Sequence, residues 1–299
     1  MKNRNLVLVT GASGQLGSEI RDLSTATKSL DFVFLDRSAL DLTDLSNIAA
    51  VLEKYSPNMI VHAAAYTAVD EAEEDVDQAF LINHLATKAI AEYARLHEVK
   101  IIFISTDYVF SGNLQEALLE DRPTAALNVY GASKVAAETA VMQLLPTAII
   151  IRTSWVYSRY GKNFVKTMLR LMEQLPKVQV VNDQFGSPTY AYDLAKAIIS
   201  ILEAKHWIPG IYHYSNEGAI TWYEFALAIR DLARLDCQVL PVDSSKFPSK
   251  AKRPTYSILS KEKIKENYFL TIPHWKDSLQ EMLKTLVVKK IVNHLNTNY

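Results

Sequence analysis

Apolar residues in the first half of the chain fall into five short, nearly unbroken runs: "LVLVT" (6–10), "FVFLD" (32–36), "MIVHAAA" (59–65), "KIIFIST" (100–106) and "AIIIRTS" (148–154). None alternates polar with apolar, and continuous runs of this length fit strands buried on both faces. Between them the apolar residues recur at helical spacing, near 14–25, 43–55, 76–97 and 129–144. Strand and helix in alternation predict right-handed βαβ crossovers and a parallel, doubly wound sheet.

After about residue 155 the pattern loosens. Helical periodicity continues at 162–174, 190–204, 221–234 and 275–295, with short strands at "VQVVN" (178–182) and "IYHYS" (211–215). A loop rich in Pro, Ser and Lys, "PVDSSKFPSKAKRP" (241–254), separates the later elements. The expected architecture is α/β: a Rossmann-type doubly wound parallel sheet over 1–154, receiving further segments from about 187–215, with a smaller C-terminal substrate-binding lobe over 155–299. In the last helix Leu283, Leu286, Val287, Ile291 and Leu295 share one face, which predicts docking on the body.

Composition narrows the class without naming it. The chain has 299 residues, 49% hydrophobic and 22% charged, ordinary values for a globular protein. A net charge of −1 demands no basic face for nucleic acid or anionic membrane. Cys237 is the single cysteine, so no disulfide forms within the chain and a reducing compartment is expected. The opening "MKNRNLVLVTG" is too short in apolar residues for a signal-peptide core, and no run reaches transmembrane length, so a cytoplasmic location is expected. The seven histidines are scattered, without metal-ligand spacing. The most charged stretch, "DEAEEDVDQ" (70–78), reads as a solvated loop and helix start, its acids favoured by the helix dipole.

"TGASGQLGSEI" (10–20) closes the first strand and opens a helix, with glycines at 11, 14 and 17. Gly11 permits the sharp turn, Gly14 lets the backbone approach a pyrophosphate, and Gly17 allows close helix–strand packing. The unpaired N–H groups of the helix start then face the phosphates. Asp36 ends the second run, where an acid commonly accepts ribose hydroxyls, and Arg37 follows it. The carboxylate favours NAD and the guanidinium grips a 2′-phosphate, so NADPH is expected with NADH tolerated. Asp41, in a second "LDL" at 40–42, falls where it could approach the adenine ring. Ala63, Ala64 and Ala65 supply small side chains where backbone passes close to a flat cofactor.

Ser105, Thr106 and Asp107 follow the apolar "IIFI" of the fourth run, at the strand end where ligands bind in open α/β sheets. Tyr130 and Lys134 are four residues apart on a helical face, so phenol and ammonium are neighbours. Strand-end hydroxyl, tyrosine and lysine together suit carbonyl reduction beside a nicotinamide. A free phenol titrates near 10, and matching it to a working pH near 7 needs a depression of roughly three units, or about 4 kcal/mol. A cation about 4 Å away at an effective dielectric near 20 supplies about that much. One lysine is therefore expected to suffice.

In combination, "TGASGQLG", the strand-four threonine and Tyr-x-x-x-Lys resemble the extended short-chain dehydrogenase/reductase family. The similarity is closest to the branch that reduces 4-keto-6-deoxy sugar nucleotides. It runs through "AAAYTAVDEAE" (63–73), "STDYVFSG" (105–112), "LNVYGASK" (127–134), "RTSWVY" (152–157), "NFVKTMLRL" (163–171), "VVNDQFGSPT" (180–189), "TWYEF" (221–225) and "KRPTYSIL" (252–259). The resemblance implies a dTDP-sugar substrate and assigns Tyr130 as proton donor, Lys134 as its partner and cofactor-ribose ligand, and Thr106 as carbonyl hydrogen-bonder. It adds Ser13, Gln15, Leu16 and Leu42 to the cofactor contacts, and Asp107, Trp155 and Arg253 to the substrate contacts. Related dehydratases carry Asp-Glu after the threonine; here Tyr108 follows Asp107, which favours plain reduction.

Three departures stand out. Ser111 occupies a position where Asp or Pro is frequent, and Tyr256 one where Asn is common. Some relatives bridge a dimer through metal-binding glutamates; Glu19 matches one such position, but Tyr192 stands near the second, so no metal is expected. The chain is expected as monomer or homodimer. Two other readings stay open: a reductase or epimerase of another 4-keto sugar nucleotide, and a non-catalytic regulatory subunit like that of methionine adenosyltransferase.

Overall fold

The computed structural model describes residues 4–112, 115–247 and 249–296, with side chains described as far as Leu286. The chain begins β1 (Asn5–Thr10), α1 (Gln15–Ser24), β2 (Leu30–Leu35), α2 (Leu45–Tyr55), β3 (Met59–His62), α3 (Val69–Ala72) and α4 (Val76–Phe80). A π-turn at Leu81–Leu85 leads into α5 (Ala86–Leu96), then β4 (Lys100–Thr106), α6 (Val129–Leu144) and β5 (Ile149–Thr153). Next come β6 (Val156–Tyr157), α7 (Phe164–Gln174), β7 (Lys177–Val181), β8 (Phe185–Gly186), β9 (Thr189–Tyr190) and α8 (Ala191–Glu203). The chain finishes with β10 (Gly210–Tyr214), β11 (Ile220–Thr221), α9 (Trp222–Ala233), β12 (Gln238–Val242), α10 (Glu262–Tyr268) and α11 (Trp275–Asn296).

Six strands form one parallel sheet in the order β10-β5-β4-β3-β1-β2. After β2 the chain crosses back over β1 and adds β3 on the other side, so strand order reverses between β1 and β3. Crevices at such reversals are where ligands settle in this architecture. Beneath one face, Leu16 and Ile20 of α1 share a core with Leu194, Ile198 and Ile201 of α8. On the other, Ile48, Leu52, Ile90 and Val141 of α2, α5 and α6 pack on Leu8, Ile60, Phe103 and Ile150. This two-sided burial explains the unbroken apolar runs. The edge strand β2 is the exception: only Leu30 and Leu35 are fully buried there.

A second core gathers Val165, Met168 and Met172 of α7 with Phe225 and Ile229 of α9, Leu279, Met282 and Leu283 of α11, and the parallel pair β7 and β12. Leu283 is buried and Leu286 packs against this core; Val287, Ile291 and Leu295, expected on the same docked face, lie outside the described side chains. Helix starts follow local chemistry. Thr221 and Glu224 close a capping box on α9, and Asn163 caps α7 through the Lys166 N–H. Strand β12 runs through Pro241, inside a stretch expected to be loop. A proline is tolerated there because the two-stranded ribbon leaves an unpaired edge.

Candidate active site

One cleft of about 1130 Å³ opens at the carboxyl ends of β1, β3 and β4. It is lined by every site residue expected from the sequence, from Gly11 and Asp36 through Ala63–Ala65, Thr106, Asp107, Tyr130 and Lys134 to Trp155 and Arg253. One wall of it starts at Gly11, whose φ of +71° favours glycine. A Cβ there would sit 2.7–2.9 Å from the backbone of Ala63 and Ala64. The β1 and β3 loops therefore touch main chain to main chain. Gly17 is equally confined, since a Cβ would lie 2.3 Å from the Gly11 carbonyl oxygen. Gly14 is the N-cap of α1 and offers no side chain to its first turn, which leaves those N–H groups facing the cleft.

Two polar chains, neither singled out in the sequence, hold this wall. The Thr10 hydroxyl bonds His62 Nδ1 at 2.7 Å and accepts from the Ala64 N–H at 3.2 Å, while His62 Nε2 meets Thr87 at 3.0 Å. Burial pulls His62 down to about 3, so the ring is a neutral strut. Asn83, in the π-turn, accepts from the Tyr66 N–H at 2.8 Å and donates to the Tyr66 carbonyl and to Ser133 Oγ at 3.1 and 2.9 Å. Ser133 donates in turn to the Tyr130 carbonyl at 2.7 Å. The π-turn thus ties the β3 loop to the tyrosine; such turns cluster at functional sites. A buried asparagine in a helical apolar pattern was the available signal.

Asp36 lies just past β2, and its Oδ1 accepts from Ser38 N, Ser38 Oγ and Ala39 N at 3.0, 2.7 and 3.1 Å. The Ser38 hydroxyl, with these amides, holds its carboxyl below the usual range. Asp41 repeats the motif with the backbone and hydroxyl of Thr43. Arg37 is exposed at the mouth, and Leu16 and Leu42 supply buried apolar floor. Gln15 accepts from Asn163 Nδ2 at 2.9 Å and donates to the Val156 carbonyl at 3.3 Å, joining α1 to the second lobe. A glycine cradle that any Cβ would fill, an uncapped helix start and an acid beyond β2 fit a dinucleotide cofactor.

The tyrosine rides on the first turn of α6. Asn128 caps that helix through the Gly131 N–H at 2.8 Å, and Glu73 accepts from the Val129 N–H at 2.7 Å. Thr106, at the end of β4, is buried, its hydroxyl donating to Asp107 Oδ1 at 3.2 Å and lying beside the Tyr130 phenol. Lys134 Nζ donates to the Ile104 carbonyl at 2.8 Å and sits 4.1 Å over the Phe103 ring. The electrostatics depart from the sequence expectation. Burial pushes Tyr130 up to about 12, against the opposing pull of the neighbouring Thr106 hydroxyl. Burial also draws Lys134 down to about 7, with Glu138 opposing. Desolvation, which a pairwise estimate omits, leads both shifts, and Lys134 is not among the groups that move the phenol. Behind β4, Ser105 donates to Glu138 at 2.5 Å, and Arg152 forks onto the same carboxylate at 2.7–3.2 Å.

The opposite wall is assembled from distant segments. Trp155 holds a positive φ of 48° and stacks on Trp222, ring centroids 3.5 Å apart and 11° from parallel. Gly186 packs against its ring so tightly that a Cβ would come within 2.5 Å. Asp107 is buried; Oδ1 accepts from Thr106 at 3.2 Å, while Oδ2 has no hydrogen bond at standard geometry among the described residues, although the Ser257 hydroxyl lies beside it. Burial raises this carboxyl to about 6. Arg253 reaches the cleft from the loop after β12, and Tyr256 from the same loop sets its ring beside Phe185. Glu19 is sealed below, accepting from Ser158 at 2.6 Å with Arg159 at 3.7 Å, and Tyr192 packs beside Tyr190. Among the described residues, no three His, Cys, Asp or Glu side chains gather to hold a metal ion, and no helix is long and apolar enough to cross a membrane.

Comparisons with known proteins agree with this geometry. The spore coat polysaccharide biosynthesis protein SpsK of Bacillus subtilis is 40% identical over 283 residues, covering 93% of this chain and 96% of its own. The dTDP-4-dehydrorhamnose reductase of Aggregatibacter actinomycetemcomitans is 37% identical over 289 residues, covering 92% and 97%. The crystal structure of dTDP-4-dehydrorhamnose reductase from Bacillus anthracis in complex with NADP superposes with a TM-score of 0.90 at 39% identity, covering 95% of this chain and all of that one. The family model for the RmlD substrate binding domain matches residues 4–288. With the glycine cradle, the Thr106–Tyr130–Lys134 cluster and this match in hand, the chain belongs to the RmlD substrate binding domain family, within the extended short-chain dehydrogenases/reductases.

Proposed function

We propose that the protein is an NADPH-dependent oxidoreductase that reduces the C4 ketone of dTDP-4-dehydro-6-deoxy-L-mannose to give dTDP-L-rhamnose. The convergence of Thr106, Tyr130 and Lys134 at the end of β4, in the same cleft as the glycine cradle, carries this reading. The similarity to the A. actinomycetemcomitans and B. anthracis reductases supports the substrate, and the latter's NADP supports the cofactor. NADPH supplies the hydride when bound. In this reading Gly11, Ser13, Gly14, Gln15 and Leu16 hold its pyrophosphate side, with Asp36, Arg37, Asp41 and Leu42 at the adenosine end and Ala63–Ala65 along its flat face.

Tyr130 gives its proton to the developing alkoxide while Thr106 hydrogen-bonds the same oxygen. For reduction the phenol must carry its proton at the start, and burial keeps it there at neutral pH. Lys134, drawn down to about 7 by burial, in its protonated form stabilises the tyrosinate after transfer. Asp107, Trp155 and Arg253 contact the sugar nucleotide, Arg253 through its diphosphate, because a guanidinium forks onto phosphate oxygens. We read residues 1–154, with segments of 187–215, as the nucleotide half and the remainder as the substrate lobe. A cytoplasmic setting fits the lone, buried Cys237.

The deciding assay mixes the protein with NADPH and dTDP-4-dehydro-6-deoxy-L-mannose and follows loss of reduced-cofactor absorbance, with the product identified by NMR. Saturable oxidation yielding dTDP-L-rhamnose is expected. NADPH binding without oxidation would overturn the reductase reading. Arg37→Ala is expected to weaken NADPH by more than tenfold relative to NADH, since it removes the charge-assisted contact to the 2′-phosphate (about 1.5–3 kcal/mol). Equal losses would take Arg37 out of cofactor choice.

A further inference from the structure

The acidic run after β3 does more than face solvent. Three of its carboxylates reach across to segments that form the site. Glu73 accepts from the Val129 N–H, one residue before Tyr130. Glu74 pairs with Lys250 at 2.5 Å, but both groups are exposed and such pairs contribute little. Asp70 is the distinctive one. Its Oδ2 accepts from Arg253 Nη2 at 2.7 Å, and its Oδ1 accepts from Arg253 Nη1 at 3.3 Å and from the Ala251 N–H at 3.0 Å. The same loop is held again where Asn128 Nδ2 donates to the Lys252 carbonyl at 2.8 Å.

We propose that Asp70 is a positioning residue for the sugar nucleotide: it forks onto Arg253 and pins residue 251, so that the guanidinium is presented to the substrate diphosphate in a fixed pose. This rests on the reading of Arg253 given above. A guanidinium has five N–H donors in a planar fork. Asp70 takes two of them, and the Ala251 carbonyl shares Nη1 at 3.2 Å. Arg253 also lines the cleft, with the Tyr108 phenol beside it, and the donors these partners leave are the ones offered to an anion. Arg253 is only 24% exposed, so its long side chain is already ordered before substrate arrives. Preorganisation of that kind raises affinity by reducing what binding must immobilise, without touching the chemical step.

The opposing effect is explicit. Asp70 places a negative charge near a dianionic ligand, and if repulsion dominated, its removal would tighten binding. The two effects predict opposite signs. Steady-state kinetics on the full chain would compare wild type, Asp70→Asn, Asp70→Glu, Arg253→Lys and the Asp70→Asn/Arg253→Lys double variant, with thymidine diphosphate as competitive probe. For Asp70→Asn we expect the sugar-nucleotide KM and the thymidine diphosphate Ki to rise about tenfold, equivalent to about 1.4 kcal/mol. The kcat and the KM for NADPH should stay within twofold. Asp70→Glu, which keeps the fork on a longer stem, should fall between. The double variant should be no worse than Arg253→Lys alone, because both changes break one unit.

An unchanged or lowered KM and Ki in Asp70→Asn, beside a raised KM in Arg253→Lys, would overturn the positioning role while sparing Arg253. If Arg253→Lys also leaves KM and Ki unchanged, the reading of Arg253 fails and takes the proposal with it. A fall in kcat and melting temperature in both Asp70 variants with no KM change would mark Asp70 as structural only, and also overturn it.

Discussion

The two walls of the cleft are built on different principles. The wall assigned to the cofactor is made by exclusion: Gly11 and Gly17 sit where a Cβ would be 2.3–3.0 Å from backbone atoms, so β1, the β3 loop and α1 meet main chain to main chain. The wall assigned to the substrate in the proposed reading is made by assembly, with Trp155, Trp222, Asp107 and Arg253 arriving from distant parts of the chain and Ser257 behind Asp107. The glycine wall tolerates no added atom, whereas the assembled wall fails whenever one of its partners is removed or displaced. Protein backbones in contact cannot yield by tenths of an ångström, whereas stacked rings and hydrogen-bonded side chains can be exchanged piece by piece.

Between the walls stands Tyr130, and its loss has the largest expected effect. Tyr130→Phe should keep NADPH affinity within about twofold, by tryptophan fluorescence, while turnover falls by roughly 10²–10⁴, the range for a positioned proton donor. Retained turnover would remove the phenol from the reaction. Next in size is Gly11→Ala. Its φ of +71° and the Ala63–Ala64 backbone 2.7–2.9 Å from the new methyl both oppose it. Strain and overpacking together should weaken NADPH by about 2–4 kcal/mol with little change in sugar-nucleotide KM at saturating cofactor. An equal loss on both ligands would show that the walls are not separable.

The same contrast decides what the sequence made legible. The glycine turn, the apolar strands and the helix beginning at Val129 are local events, each read from a dozen consecutive residues, and the structure has them where periodicity puts them. Thr10, His62 and Asn83 escaped because a polar residue at the end of an apolar run gives no sign of its partner, 52 residues away for Thr10 and His62. The acidic run has its expected helix starts, with Asp70, Glu71 and Asp77 in first turns, but Asp70's partner was not legible: a carboxylate bound to a guanidinium 183 positions later looks like any surface acid. Pairwise electrostatics failed differently. The i, i+4 spacing of Tyr130 and Lys134 is real, but the dehydration of both groups cannot be seen before the fold is known.

Dehydration also gives the substrate wall a pH signature. Asp107 rises from an ordinary value of 3.8 to about 6 through burial. In that window the folded chain holds the proton more tightly than the unfolded one, so stability falls as pH rises from 3.8 to about 6. The penalty is complete above the upper value and absent below the lower. At roughly 1.36 kcal/mol per unit it is on the order of 3 kcal/mol at most. Asp107→Asn should therefore raise the unfolding free energy near pH 8 by about 1–3 kcal/mol, leave it nearly unchanged near pH 3.5, and lower turnover. Denaturant titrations at the two pH values read this directly. A loss of stability at both would mean that the carboxylate is well paired, with Ser257 the partner to suspect.

The smallest effect isolates the assembled wall most cleanly. Trp155 keeps a φ of 48°, a conformation that persists in a bulky residue only when its surroundings hold it. Trp222 holds one face of its indole, and Gly186 packs so closely on the ring that a methyl there would overlap it at 2.5 Å. Trp222→Leu keeps apolar bulk but removes a stack of about 0.5–1.5 kcal/mol. Trp155 then samples other poses, and the sugar-nucleotide KM should rise about two- to tenfold while the NADPH KM stays fixed. Gly186→Ala should reach the same endpoint from the other side, by pushing the ring instead of releasing it. If the two changes raise KM alike and their combination adds little, Trp155 is the common element through which both act. Full additivity would mean that each touches the substrate independently, and the aromatic wall would then be two contacts where one is inferred here.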